Sequence, residues 1–156
     1  MTGVQTCALP ICSIGVSNFT PAHLDTLIDG TGLVPAVNQI EIDPTRPRLA
    51  QRAYNEGRGI LTQSWSPLGG GGNVAEVLKN DVIVKIAEQR GRTPGQIVLR
   101  WHVQQGLIAL PKSANPARQA ENLAVFDFEL TADDLAALDT VSLSPDAGVD
   151  SDRSGH

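Results

Sequence analysis

Four short stretches carry the residues able to do chemistry, and each sits where a β-rich run gives way to a turn. The first ends in Ser17-Asn18 and the second holds Asn38, Gln39 and Glu41. The third runs Trp65-Ser66-Pro67-Leu68-Gly69-Gly70, and the fourth ends in Pro111-Lys112-Ser113. Amide and hydroxyl side chains, an aromatic plate, a glycine run and a lysine together suit a ligand with a planar ring and phosphates. The fourth stretch makes the sharpest case. Lys112 and Ser113 precede a helix expected to begin at Asn115-Pro116, whose free N–H groups and positive dipole end favour an anion, and Arg118 lies in its first turn. Arg118 can offer bidentate hydrogen bonds and Lys112 a point charge, which fits a monoester phosphate such as the 2′-phosphate of NADP.

Each of these features also has a plainer reading. The basic pair reads equally as a solvated helix start, and Ser17-Asn18 as a turn leading into a helix. The glycine run, Gly69 to Gly72, lacks the spacing of the familiar phosphate loops and is compatible with a flexible surface loop. Trp65 is an aromatic at a strand end, where packing is the commoner role. Other chemistries find less support. His23 and His102 fall within expected helices and His156 at the terminus, none placed to pair with a serine or cysteine nucleophile. No HExxH or CxxC spacing marks a metal site. Trp101 shares a helix stripe with Ile97 and Val98 and is expected to pack.

The elements that would position these residues follow a repeated order. β-rich runs at 13–18, 35–42, 59–66 and 107–113 are each followed by an amphipathic helical pattern. Thr20-Pro21 opens a helix with Leu24, Leu27 and Ile28 on one face, closed by Gly30. A second helix carries the stripe Leu49, Ala50, Ala53 and Tyr54, with Gly57 just past its end. A short helix around Val74 to Lys79 and a longer one from Asp81 follow, and Thr93-Pro94 with Gln96 caps a helix running to Gly106. Asn115-Pro116 starts the next, and Thr131 with Asp134 caps the last, after which the chain from Leu143 reads as a tail. Strands alternating with helices at this spacing imply an α/β fold with a parallel sheet. A (β/α) half-barrel, four units of a (β/α)8 TIM barrel, is favoured over a three-layer doubly wound sheet.

Composition bounds the setting. The chain has 156 residues, a net charge of -5 and interspersed charges, so the basic stripe of a nucleic-acid or membrane binder is missing. No apolar run approaches the roughly 20 residues that span a bilayer. Both cysteines, Cys7 and Cys12, lie in the opening dozen, which leaves no disulfide framework and points to a cytoplasmic setting. That opening dozen has no basic n-region and is broken by Gln5, Thr6 and Pro10, a poor signal peptide. Residues 1–12 match no element of the repeated pattern and are expected to be non-native, with 13–156 forming the domain.

Taken together, IGVSNF, VNQIEI, TQSWSPLG and LPKS with its following Arg118, Glu121 and Asn122 resemble, in order and spacing, the second half of the aldo-keto reductases. SWSPLG and PKSANPARQAENLAVFDFELT are most similar to the bacterial 2,5-diketo-D-gluconate reductase branch. The resemblance implies a TIM-barrel oxidoreductase that binds NADPH without a Rossmann motif and reduces small aldehydes, ketones or keto-sugars. It implies that Ser17, Asn18 and Gln39 hold the nicotinamide carboxamide and that Trp65 stacks on the ring. Ser66, Leu68 and Gly70 would line the pyrophosphate path, and Lys112, Ser113 and Arg118 would surround the 2′-phosphate. Glu121 and Asn122 would contact the adenine, with Asn115 adding a polar contact. Asp43 departs from the family, which often has His there.

The family's catalytic Asp, Tyr, Lys and His belong to its first four strands, so no catalytic residue is assigned and the chain alone is expected to be inactive. The alternative is a non-catalytic half-barrel module that binds a phosphorylated nucleotide. A monomeric parent with a small-molecule substrate is implied, and the open sheet edges of the isolated chain are expected to invite self-association.

Overall fold

The computed structural model describes residues 13–70, 72–143 and 151–154. The expectation for residues 1–12 lies outside the described residues, as does most of the segment after Leu143.

The four β-rich runs form β1 (Gly15–Ser17), β2 (Val37–Glu41), β3 (Leu61–Trp65) and β4 (Ile108–Leu110). Each is shorter than its run, because the flanking residues leave the ladder to build turns. All neighbours are parallel, in the order β1-β2-β3-β4. A doubly wound sheet reverses its strand order at a switch point and is covered on both faces. Here the order follows the chain, and burial alternates along the strands. Asn38, Ile40, Thr62 and Ser64 point to a covered face, whereas Leu61 is 57% and Leu110 is 42% exposed on the other. One covered face and one bare face make this a parallel half-barrel.

Helices α1 (Pro21–Thr31), α2 (Leu49–Gly57), α3 (Val74–Leu78), α4 (Asp81–Arg90), α5 (Pro94–Gln104), α6 (Pro116–Leu123), α7 (Ala132–Asp139) and α8 (Ser151–Ser154) follow. Their starts are local chemistry. Thr20, Thr93 and Thr131 each accept a hydrogen bond from the N–H three residues on, and His23, Gln96 and Asp134 accept back from the cap N–H. The core lies between the covered face and α4 and α5, where Ile40 and Ile42 cluster with Ile83, Ile97, Val98 and Trp101. Trp101 is thus a packing residue.

Three helix expectations are corrected. Helix α1 runs past Gly30, because Thr31 Oγ1 donates to the Leu27 carbonyl and the left-handed cap falls at Gly32, φ 71°. In α2, Gly57 is still helical and the positive φ comes at Gly59, after Arg58 N–H has bonded the Asn55 carbonyl. The face of α2 is also turned. Leu49, expected in the core, is 52% exposed and Ala53 is exposed, while Gln51 and Asn55 are buried.

The reason lies across the interface. Asn38 and Thr62 are polar residues on the covered face, and a buried polar group without a partner costs about 1–3 kcal/mol. Asn55 Nδ2 donates to Thr62 Oγ1 at 3.0 Å, and Gln51 Nε2 donates to Asn55 Oδ1 at 3.0 Å. Asn38 Nδ2 donates to the Phe19 carbonyl at 2.8 Å. Tyr54, on the flank of α2, donates its hydroxyl proton to Asp25 of α1. Asn55→Ala is therefore expected to cost about 1–2 kcal/mol in urea unfolding. Leu49→Ala should stay within about 0.5 kcal/mol, where a core leucine would lose several times more.

Candidate functional site at the C-terminal ends of the strands

Beyond Trp65 the chain turns sharply, with positive φ at Ser66 (50°) and Gly69 (104°). The turn is packed from below by Glu41, which is 5% exposed and lies 3.5 Å from Arg46 Nη2. A Cβ on Gly70 would stand 2.0 Å from Glu41 Oε1, and one on Gly69 would stand 2.9 Å from the Asn73 carbonyl oxygen. These two glycines therefore belong to a built loop resting on a buried carboxylate, not to a loose surface segment. Asp43, where the family often has His, faces inward. Its Oδ1 accepts from Thr45 N–H at 2.8 Å and its Oδ2 from Arg46 Nη2 at 2.8 Å, so it builds the loop between β2 and α2. Burial works to lower the pKa of the Arg46 guanidinium, but the hydrogen bond and charge of Asp43, aided by Glu41, hold it above its usual value.

Side by side at the ends of β1, β2 and β3 lie Ser17, Asn18, Gln39 and Trp65. Asn18 has φ 56°, uncommon outside glycine, and its N–H donates to the Gln39 carbonyl at 2.9 Å. Its Oδ1 accepts from Trp65 Nε1 at 2.9 Å, so the amide and the indole fix each other. Ser17 Oγ donates to the Gln39 carbonyl at 3.3 Å, and Gln39 Nε2 to Gln63 Oε1 at 3.0 Å. Gln63 was missed in the sequence, although it stands two residues before Trp65 and thus shares its face.

A cleft of about 610 Å³ opens between the β3 loop and α6. Ser66 and Leu68 line one side, and Lys112 and Ser113 the end of β4. Arg118, Glu121 and Asn122, spaced i, i+3 and i+4 on α6, face it together. Seven of the residues singled out by sequence are thereby brought to one cavity. Gly70 is not among them. Its neighbour Gly69 reaches the cleft, while Gly70 is held against Glu41.

Asn115 caps α6 and is not among the residues lining the cleft. Its Oδ1 accepts from the N–H groups of Ala117 (2.9 Å) and Arg118 (3.4 Å), and Ser113 Oγ accepts from Asn115 N–H at 3.1 Å. The helix start is thus capped by its own side chains, and the attraction for an anion rests on Lys112 and Arg118. Neither makes an ion pair among the described residues. Sequence reasoning also missed Thr93 and Gly95 at the start of α5, which line the same cleft; Thr93 Oγ1 donates to Glu121. The signal was available. In a β/α unit the helix start stands at the same end as the preceding strand's C-terminus, and Thr93 was already a cap.

Residues 10–143 match the sequence profile described as the Aldo/keto reductase family. The chain belongs to the aldo/keto reductase family. It is 50% identical over 140 residues to an aldo-keto reductase of Mycolicibacterium smegmatis, covering 90% of this chain and 50% of that protein. It is 52% identical over 126 residues to 2,5-diketo-D-gluconic acid reductase B of a Corynebacterium species, covering 81% and 44%. Among solved structures, a Gox0644 variant in complex with NADPH superposes with a TM-score of 0.84 at 49% identity, covering 92% of this chain and 52% of that one.

The chain therefore spans about half the length of the aldo/keto reductases it matches. Its four parallel strands and bare sheet face are what half of a (β/α)8 barrel presents. No helix among the described residues is long and apolar enough to cross a membrane.

Proposed function

We propose that this chain is the NADPH-holding half of a carbonyl reductase that converts small aldehydes, ketones or keto-sugars to alcohols. The observation that carries this reading is the cleft itself, where two cations without carboxylate partners among the described residues face the Ser66–Leu68 turn beside the locked Asn18–Trp65 pair. The residues present fit the cofactor. Ser17, Asn18 and Gln39 offer hydroxyl and amide groups to the carboxamide, and Trp65 offers its ring face to the nicotinamide. Ser66 and Leu68 would border the pyrophosphate, Lys112, Ser113 and Arg118 the 2′-phosphate, and Glu121 and Asn122 the adenine. When bound, NADPH supplies a hydride to the substrate carbonyl.

Within this chain the proposed work is binding and orientation. The one tyrosine, Tyr54, is on α2 with its hydroxyl on Asp25, away from the strand ends, so it does not serve as the proton donor. General acid catalysis contributes typically about 100 to 10,000-fold, and we assign it to residues of the other barrel half. The chain by itself is accordingly proposed to bind cofactor without turnover, in the cytoplasm and apart from nucleic acid and membrane. Fluorescence titration tests this directly. NADPH should quench Trp65 emission saturably and more tightly than NADH, with no oxidation of NADPH when a keto-sugar is added; equal affinities would overturn the 2′-phosphate assignment.

A further inference from the structure

A second cavity, of about 450 Å³, lies at the opposite ends of β3 and β4, between α2 and the end of α5. Its α2 wall is Leu49, Arg52, Ala53 and Glu56, the stripe at i, i+3, i+4 and i+7 that the core does not use. Ile60 and Leu107, both buried, form an apolar floor, and Leu49 and Leu61 stand exposed at the rim.

Arg46, Arg58, Arg90, Arg92 and Arg100 each reach a carboxylate. Arg52, like Arg118 at the other end of the strands, has no carboxylate within ion-pair distance among the described residues. Its Nη2 donates to Gln105 Oε1 at 2.8 Å and its Nη1 to the Pro47 carbonyl at 3.4 Å, and the guanidinium lies 5.8 Å from the Trp101 ring centre. Burial lowers its pKa, and the charges of Asp139 and Glu56 do not offset this. Of five N–H donors only two are engaged among the described residues, so a partly desolvated cation is left with spare donors beside an apolar floor. That combination favours a ligand with one negative charge and a short hydrocarbon part. Glu56 on the same wall disfavours a second negative charge, which argues against phosphate monoesters and dicarboxylates.

We propose that this cavity is a binding site for a small amphipathic monocarboxylate, with its carboxylate on Arg52 and its aliphatic tail against Ile60, Leu107 and Leu49. The site is separate from the nucleotide cleft, at the other end of the strands. The test is an amide NMR titration of the chain with hexanoate, alongside hexan-1-ol and inorganic phosphate. Hexanoate is expected to shift Arg52, Gly59 and Gly106 saturably, with the alcohol and phosphate far weaker. Arg52→Gln should weaken hexanoate about tenfold or more, as befits loss of hydrogen bonds to a charged group. Leu49→Glu alters only an exposed residue, so it keeps the fold while placing a carboxylate at the rim, and it should weaken hexanoate similarly. No saturable shift, equal binding of hexan-1-ol, or unchanged hexanoate binding in a folded Leu49→Glu variant would each overturn the assignment.

Discussion

Arg118→Ala is expected to weaken NADPH binding by about tenfold to a hundredfold while leaving NADH within about twofold, the range for losing hydrogen bonds to a charged group. Arg118 is exposed, and its side chain makes no hydrogen bond or ion pair among the described residues, so the fold loses nothing by its removal. Stability should stay within about 0.5 kcal/mol. Arg118→Lys would keep the charge but not the bidentate fork, and should recover only part of the affinity. The measurement is a pair of titrations, NADPH and NADH, on each variant. If both nucleotides weaken together, Arg118 acts on the common part of the cofactor and not on the 2′-phosphate. If neither changes, the cation that matters is Lys112.

Gly70→Ala should be strongly destabilising. The added Cβ would meet Glu41 Oε1 at 2.0 Å and Ser66 Cβ at 3.1 Å. Glu41 cannot yield by swinging to solvent, because it is buried and lies beside Arg46. Overpacking of this kind costs typically about 1–3 kcal/mol, and the close approach to a carboxylate oxygen puts this case at the upper end. Urea unfolding should show a lower midpoint at unchanged slope. Displacing the loop also moves Ser66 and Leu68, so NADPH should bind more weakly. The double variant Glu41→Ala/Gly70→Ala separates cause from accident. Removing the carboxylate makes room for the methyl, so the two losses should fall short of additivity by about 1 kcal/mol or more. Additive losses would show that Glu41 is not what excludes a side chain there.

Much of the fold was legible because its punctuation is local. Thr20, Thr93 and Thr131 bond N–H groups only three residues away, and Asn115 reaches those of Ala117 and Arg118. A sequence window contains both partners. The grouping of residues at the candidate cleft was legible for a related reason. In parallel β/α units the ligand end is dictated by chain direction, so Trp65–Leu68 and Lys112–Ser113 could be placed together before any contact was known.

What escaped were choices between faces and partners far apart in the chain. The amphipathic stripe of α2 counted Leu49 and Ala53 as core, since periodicity measures apolar content and not the needs of Asn38 and Thr62 opposite. The need for a glycine at position 70 likewise comes from Glu41, on another strand.

By itself, then, the sequence determined the elements, their direction, and the family to which the chain belongs, because caps, turns and period-2 or 3.6 patterns are set by neighbours within a few residues. Only the tertiary structure decided which face of α2 turns inward, which glycine rests on a carboxylate, and that Arg52 stands at a cavity with an apolar floor and makes no ion pair among the described residues. Those outcomes depend on hydrogen bonds and close approaches between β2, β3, α2 and α5, and such partners meet only once the sheet register brings their strands together.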